Sequence, residues 1–176
     1  MDKRKFLNPR LLVEEVRPNV NDVVADFGSG SGALTVELAR LVGSGGSVTA
    51  IDVQSVALES VRSNASIAGV RNIKTVLANL ESPQGSTLRD ESQDLVLLAN
   101  ILFQSDDKPS IISEAKRVLK PGGRLVVIDW LPSESPLGPK PEHSLKPEDV
   151  KSLVGLELDR SLEMAGSYHF GFVFRK

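Results

Sequence analysis

The chain has 176 residues, 40% hydrophobic and 25% charged, with no apolar run near the roughly 18 residues of a membrane span. That length suits a single domain with a multilayer core, and a charged start followed by Phe6-Leu7-Asn8-Pro9 is not a secretory signal, so a cytoplasmic location is expected. Lack of cysteine excludes disulfides, thiolate metal sites and cysteine nucleophiles, two histidines argue against any metal site, and a net charge of −2 disfavours nucleic acid as a partner.

Short β-branched runs alternate with helical periodicities, the pattern of βαβ units around a parallel sheet. A helix at residues 8–17 precedes a first strand at 23–27. Residues 33–42 place Leu34, Leu38, Leu41 and Val42 at helical spacing. A second strand at 48–53 is followed by a helix at 56–68, and a third strand by a polar stretch, 81–92, whose Pro83 and Gly85 indicate a loop in place of a crossover helix. The third strand is read at 73–80, the fourth at 94–102 and the next helix at 109–119; Pro121-Gly122-Gly123 should stop that helix before a fifth strand at 124–130. Residues 131–147 are proline-rich and should run irregularly over the carboxyl edge of the sheet as a covering segment. A short helix from Pro147 to near Gly155 precedes two final runs, 156–164 and 168–175, whose three-residue connection permits an antiparallel hairpin and no parallel crossover. The expected fold is one doubly wound α/β domain over residues 1–176, with a mostly parallel seven-stranded sheet and an antiparallel last strand.

The segment Asp26-Phe27-Gly28-Ser29-Gly30-Ser31-Gly32 carries the strongest chemical signal, an acidic strand end followed by alternating glycines and a helix. Glycine permits the tight turn and lets backbone approach a ligand, while the helix start offers unpaired N–H groups. Asp52 closes the second strand, where a carboxylate can accept from both hydroxyls of a ribose. The loop by itself also satisfies the looser dinucleotide fingerprint, so a nicotinamide-dependent reductase stays open on this feature. Asp26 either braces the loop or touches the ligand, and Asn79 and Asn100 either form turns or make contacts; those alternatives stay open as well.

Five segments in order decide more. Residues 24–32, Ala50-Ile51-Asp52-Val53-Gln54, Leu77-Ala78-Asn79-Leu80-Glu81, the fourth strand from Asp94, and Ala115 to Leu125 together resemble class I S-adenosylmethionine-dependent methyltransferases. The nearest resemblance is to the ubiquinone/menaquinone-type and arsenite-type group. It implies a Rossmann-like fold and S-adenosylmethionine as cofactor, with S-adenosylhomocysteine as product. It places Asp26, Phe27, Gly28, Gly30 and Gly32 around the cofactor, Asp52 on the ribose, Val53 and Leu80 on the adenine faces, Asn79 on the adenine edge and Asn100 by the amino end. Asn79 stands where the group commonly has Asp, which removes a charge from that contact. The arsenite enzymes' cysteines are absent, so arsenic chemistry is not expected.

The acceptor is expected to be a small molecule. Phe103, Trp130, Tyr168 and His169 fall near the carboxyl edge and form a candidate acceptor pocket, against the alternative that aromatics there are core. His169 is the candidate general base, His143 is read as solvated, and the Lys3-Arg4-Lys5 run is read as a frayed terminus. A non-catalytic adenosyl-binding partner subunit remains a second reading, and a homodimer is compatible with the chain.

Overall fold

The computed structural model describes residues 7–132, 138–165 and 167–176; the Lys3-Arg4-Lys5 run and positions 133–137 of the covering segment lie outside them. In chain order the elements are α1 (Pro9–Val16), β1 (Val23–Phe27), α2 (Ala33–Val42), β2 (Ser47–Asp52), α3 (Ser55–Ile67), β3 (Ile73–Leu77) and β4 (Gln93–Ala99). They continue with α4 (Lys108–Val118), β5 (Leu119–Trp130), α5 (Pro147–Val154), β6 (Glu157–Ser161) and β7 (His169–Arg175). Local signals set the helix starts: Asn8 Oδ1 accepts the N–H of Leu11 and Pro9 opens α1, while Asp107 does the same for Ser110 at the head of α4.

The seven strands lie in the order β3-β2-β1-β4-β5-β7-β6. Only β7 is reversed, pairing antiparallel with both β5 and β6. The central strands are apolar on both faces because helices cover both sides. On one face Val24, Leu95, Leu97, Val126 and Ile128 pack against Leu12, Val13 and Val16 of α1 and Leu38, Ala39 and Val42 of α2. On the other, Ala25, Phe27, Leu98 and Val127 meet α4 and α5, and Phe170, Phe172 and Phe174 line up with them. Each fully buried Val, Leu or Phe contributes about 1.5–3 kcal/mol, so these two layers carry the fold.

The order reverses between β1 and β4, because one set of crossovers steps away in one direction and the other set in the opposite one. Such a switch point leaves a crevice beyond the carboxyl ends of the strands.

Three expected boundaries shift. The third strand ends at Leu77 instead of residue 80, because Asn79 O accepts Ser82 N–H and turns the chain. The fourth ends at Ala99 instead of residue 102: Asn100 takes a left-handed φ of 56°, and Leu102–Gln104 form a 3-10 turn whose Leu102 and Phe103 N–H groups are held by the Asp129 carboxylate. The fifth strand starts at Leu119, with Pro121-Gly122-Gly123 inside it as an irregularity: pairing with β4 shifts register there, and Gly122 at φ 76° donates to Lys176 O. Between β6 and β7 the connection is longer than expected and holds a 3-10 turn at Glu163–Ala165. Of the covering segment, Pro141–His143 form a further 3-10 turn.

Candidate cofactor and active site

A cleft of about 670 Å³ opens at the switch point, in the range usual for small-molecule sites. Asp26, Gly28, Gly30, Asp52, Val53, Asn79, Leu80 and Asn100 all line it. The loop after β1 is bent onto β2 by two bonds, with Gly28 and Ser29 N–H both donating to Ile51 O. Gly28 (φ 74°) lies so near Ile101 that a Cβ would come within 2.6 Å of its Cδ1. Gly30 (φ 53°) has nothing within 4 Å of where a Cβ would stand, so its bare backbone borders open space. Gly32 caps α2 and packs on Val61, away from the cleft lining, and Phe27 is fully buried in the core. Neither is among the cleft-lining residues, and strand alternation turns the Phe27 side chain to the opposite face from Asp26.

Asp52 uses both oxygens on backbone: Oδ2 accepts Gly30 N–H and Oδ1 accepts Gln54 N–H, each at 2.9 Å. Asp26, only 2% exposed, accepts Thr35 Oγ–H at 2.5 Å. Burial pushes its carboxyl up to about 6, and the nearby Asp52 charge adds to the rise against the Thr35 bond. Two buried polar atoms at the cleft have no protein partner, Ser29 Oγ and Asn100 Oδ1. Asn79 Oδ1 accepts Glu81 N–H, so the asparagine does form a turn while its residue lines the cleft. Val53 stands 62% exposed at the mouth and Leu80 is buried at the wall.

Several lining residues were not read from sequence, among them Ser29, Glu81, Ile101, Gln104 and Ser105. Ser29 and Glu81 sit inside the motif segments and were within reach; the others come from a loop whose shape depends on contacts far along the chain. The lining residues described carry three carboxylates, Asp26, Asp52 and Glu81, and no Lys, Arg or His.

A family model described as a methyltransferase domain matches residues 18–155. The chain belongs to the class I methyltransferase-domain family. A ubiquinone/menaquinone biosynthesis C-methyltransferase of Marinomonas sp. is 38% identical over 115 residues, 65% of this chain and 45% of that protein. An arsenite methyltransferase of Aquipseudomonas alcaligenes is 36% identical over 110 residues, 60% of this chain and 32% of the relative. This methyltransferase domain therefore spans half or less of the length of these two curated relatives. A solved structure described as a SAM dependent methyltransferase from Aquifex aeolicus superposes with a TM-score of 0.85 at 26% identity, covering 97% of this chain and 90% of that one.

The family's cofactor, S-adenosylmethionine, suits the residues present. Gly30 leaves a cradle that a Cβ would fill, Ser29 and Asn100 hold unmet hydrogen-bonding atoms, and the acidic lining suits a ligand bearing sulfonium and ammonium charges.

The aromatic set lies beside the cleft and not in its lining. Trp130 ends β5 and stacks on His169 at the start of β7, ring centroids 4.0 Å apart. His169 is 8% exposed, neither ring nitrogen has a partner, and burial lowers its pKa to about 4, so the imidazole is neutral at pH 7 and a weak base. Tyr168 O accepts Leu131 N–H, and Phe103 N–H is bound by Asp129. Phe170, Phe172 and Phe174 pack under α5, with Lys151 Nζ 4.8 Å from the Phe172 ring. Among the described residues no helix is long and apolar enough to cross a membrane, and no group of acidic or histidine side chains is disposed to hold a metal.

Proposed function

We propose that this domain binds S-adenosylmethionine in the switch-point cleft and transfers its methyl group to a small-molecule acceptor. The observation that carries the reading is the sign of the cleft: three carboxylates and no cationic side chain among its described lining residues. A dinucleotide would bring pyrophosphate into that field, whereas a sulfonium and an ammonium are attracted by it. When bound, the cofactor supplies an electrophilic methyl on sulfonium; the acceptor's lone pair forms the new bond as the sulfur–carbon bond breaks, leaving S-adenosylhomocysteine.

The protein's part is binding, alignment and exclusion of water. Asp52 offers its remaining lone pairs to the ribose hydroxyls, Asp26 faces the ammonium, and Asn100 Oδ1 accepts a hydrogen bond at the amino-acid end. Val53 and Leu80 flank the adenine, with Asn79 at its edge. The acceptor approaches at the carboxyl edge past Trp130 and His169, flanked by Phe103 and Tyr168. His169 is the candidate contact for a polar group on the acceptor, although in the free protein its ring nitrogens are buried and outside the cleft lining.

Calorimetry with S-adenosylmethionine, S-adenosylhomocysteine and NADH tests the reading. Binding of the first two and not the third is expected. NADH binding, or no binding of either adenosyl ligand, overturns it; release of S-adenosylhomocysteine with a panel of small acceptors then separates enzyme from binder.

A further inference from the structure

Two loops that border the cleft are fastened to one another by a single carboxylate. Glu81, in the turn after β3, accepts Ser105 Oγ–H through Oε1 at 2.6 Å, and the same oxygen takes the N–H groups of Asp106 at 3.2 Å and Asp107 at 3.5 Å. Glu81 and Ser105 both line the cleft. Each end of this clasp is stiff. On the β3 side, Asn79 Oδ1 holds Glu81 N–H, and a Cβ on Gly85 would come within 2.0 Å of Asn79 O, which leaves the turn no room to shift. On the β4 side, Ser105 is buried, Asp107 caps α4, and Lys108 Nζ donates to Ser105 O at 2.7 Å.

A structural tie between the β3–β4 connection and α4 already exists elsewhere. The buried Glu114 of α4 takes Ser86 N–H and Oγ–H, and Arg117 binds Glu114, Leu88 O and Asp90. That network fastens the connection away from the cleft, so Glu81 is not needed to keep the loop on the helix. What sets Glu81 apart is where it stands. It spans from the adenine-side turn to the loop that carries Asn100, Ile101 and Gln104, and so fixes the separation of two walls between which a flat base must fit.

We infer that the Glu81–Ser105 clasp is a positioning pair for the adenosyl part of the cofactor, holding the loops after β3 and β4 at the spacing that admits the base. The inference rests on the reading of the cleft as the cofactor site. The Ser105 hydroxyl also keeps the Glu81 carboxyl below its usual range, so the charged form that receives three donors is present at neutral pH.

The test is calorimetry of the full chain with S-adenosylhomocysteine and, separately, adenosine, alongside thermal unfolding. Ser105→Ala and Glu81→Ala each weaken both ligands about tenfold, the size of a lost charge-assisted bond, and the double variant is no weaker than either single one. Ser105→Thr, which keeps the hydroxyl, restores affinity. Equal losses for the two ligands assign the effect to the adenosyl part, and a loss confined to S-adenosylhomocysteine overturns that assignment. Unchanged affinity with a lowered melting temperature makes the clasp a structural tie only and overturns the inference. If the unaltered protein binds neither ligand, the cleft reading itself fails and the clasp falls with it.

Discussion

The carboxylate of Asp52 holds the backbone N–H of Gly30 at 2.9 Å, so the acid that ends β2 also shapes the glycine loop that follows β1. Its other oxygen holds Gln54 N–H at the head of α3. Asp52→Ala therefore removes a ligand contact and slackens the loop together. The expected loss in S-adenosylmethionine affinity is about 1.5–3 kcal/mol for the charge-assisted contact, with more from the loop. Asp52→Asn keeps oxygen for one of the two backbone bonds and should lose less. Titration calorimetry of both variants checks this; equal affinity in Asp52→Ala and the unaltered protein would remove the ribose from this position.

Asn79 has its side-chain oxygen committed to Glu81 N–H, and a carboxylate makes that bond at least as well. Asn79→Asp should fold normally, keep the turn, and retain or raise cofactor affinity by adding charge where the adenine amino group donates. A strong loss of affinity would show that the base does not lie against this turn.

The parts legible in the sequence are those that depend on near neighbours. Strand and helix periods, the reversed last strand that follows from a connection too short for a parallel crossover, and the glycine loop with Asp52 all follow from local pattern. What escaped depends on partners far along the chain. Asp129 looks like one more strand residue, yet its carboxylate holds Leu102 and Phe103 N–H and so ends β4 early, which brings Ile101, Gln104 and Ser105 to the cleft. Proximity in sequence to the motif likewise did not show that the Phe27 side chain takes the core face of its strand.

Asp26 makes the free protein sensitive to pH. Its carboxyl is raised from 3.8 to about 6, so folding favours the protonated form. The stabilisation is complete below the unfolded value and is lost as pH rises through 6, amounting to about 3 kcal/mol across that window. Asp129, also raised to about 6 by burial, acts in the same direction. Asp26→Asn should raise stability at pH 8 in the absence of ligand by up to that amount and change little near pH 4. The same variant should bind S-adenosylmethionine less well at pH 8, where the ionised acid would face the ammonium. Chemical denaturation at the two pH values, with calorimetry, measures both; a variant less stable than the parent at pH 8 sinks the argument.

His169 works against those acids. Its pKa is lowered from 6.5 to about 4, so folding favours the neutral ring; the stabilisation is present above 6.5 and is lost as pH falls through 4, about 3 kcal/mol in all. Its two ring nitrogens are buried without partners, each a loss of roughly 1–3 kcal/mol that a phenyl ring would not incur. His169→Phe keeps an aromatic ring against Trp130, somewhat larger than the imidazole it replaces. The variant should be more stable at pH 7 and should lack most of the parent's decline between pH 6.5 and 4. Cofactor affinity should stay unchanged, since His169 does not line the cleft, while turnover of an acceptor that uses the imidazole should fall. Urea denaturation across pH 4–7 decides the first part: a His169→Phe protein less stable than its parent at pH 7 would mean that the imidazole makes bonds in solution that stabilise the fold, and its place at the carboxyl edge would then be structural.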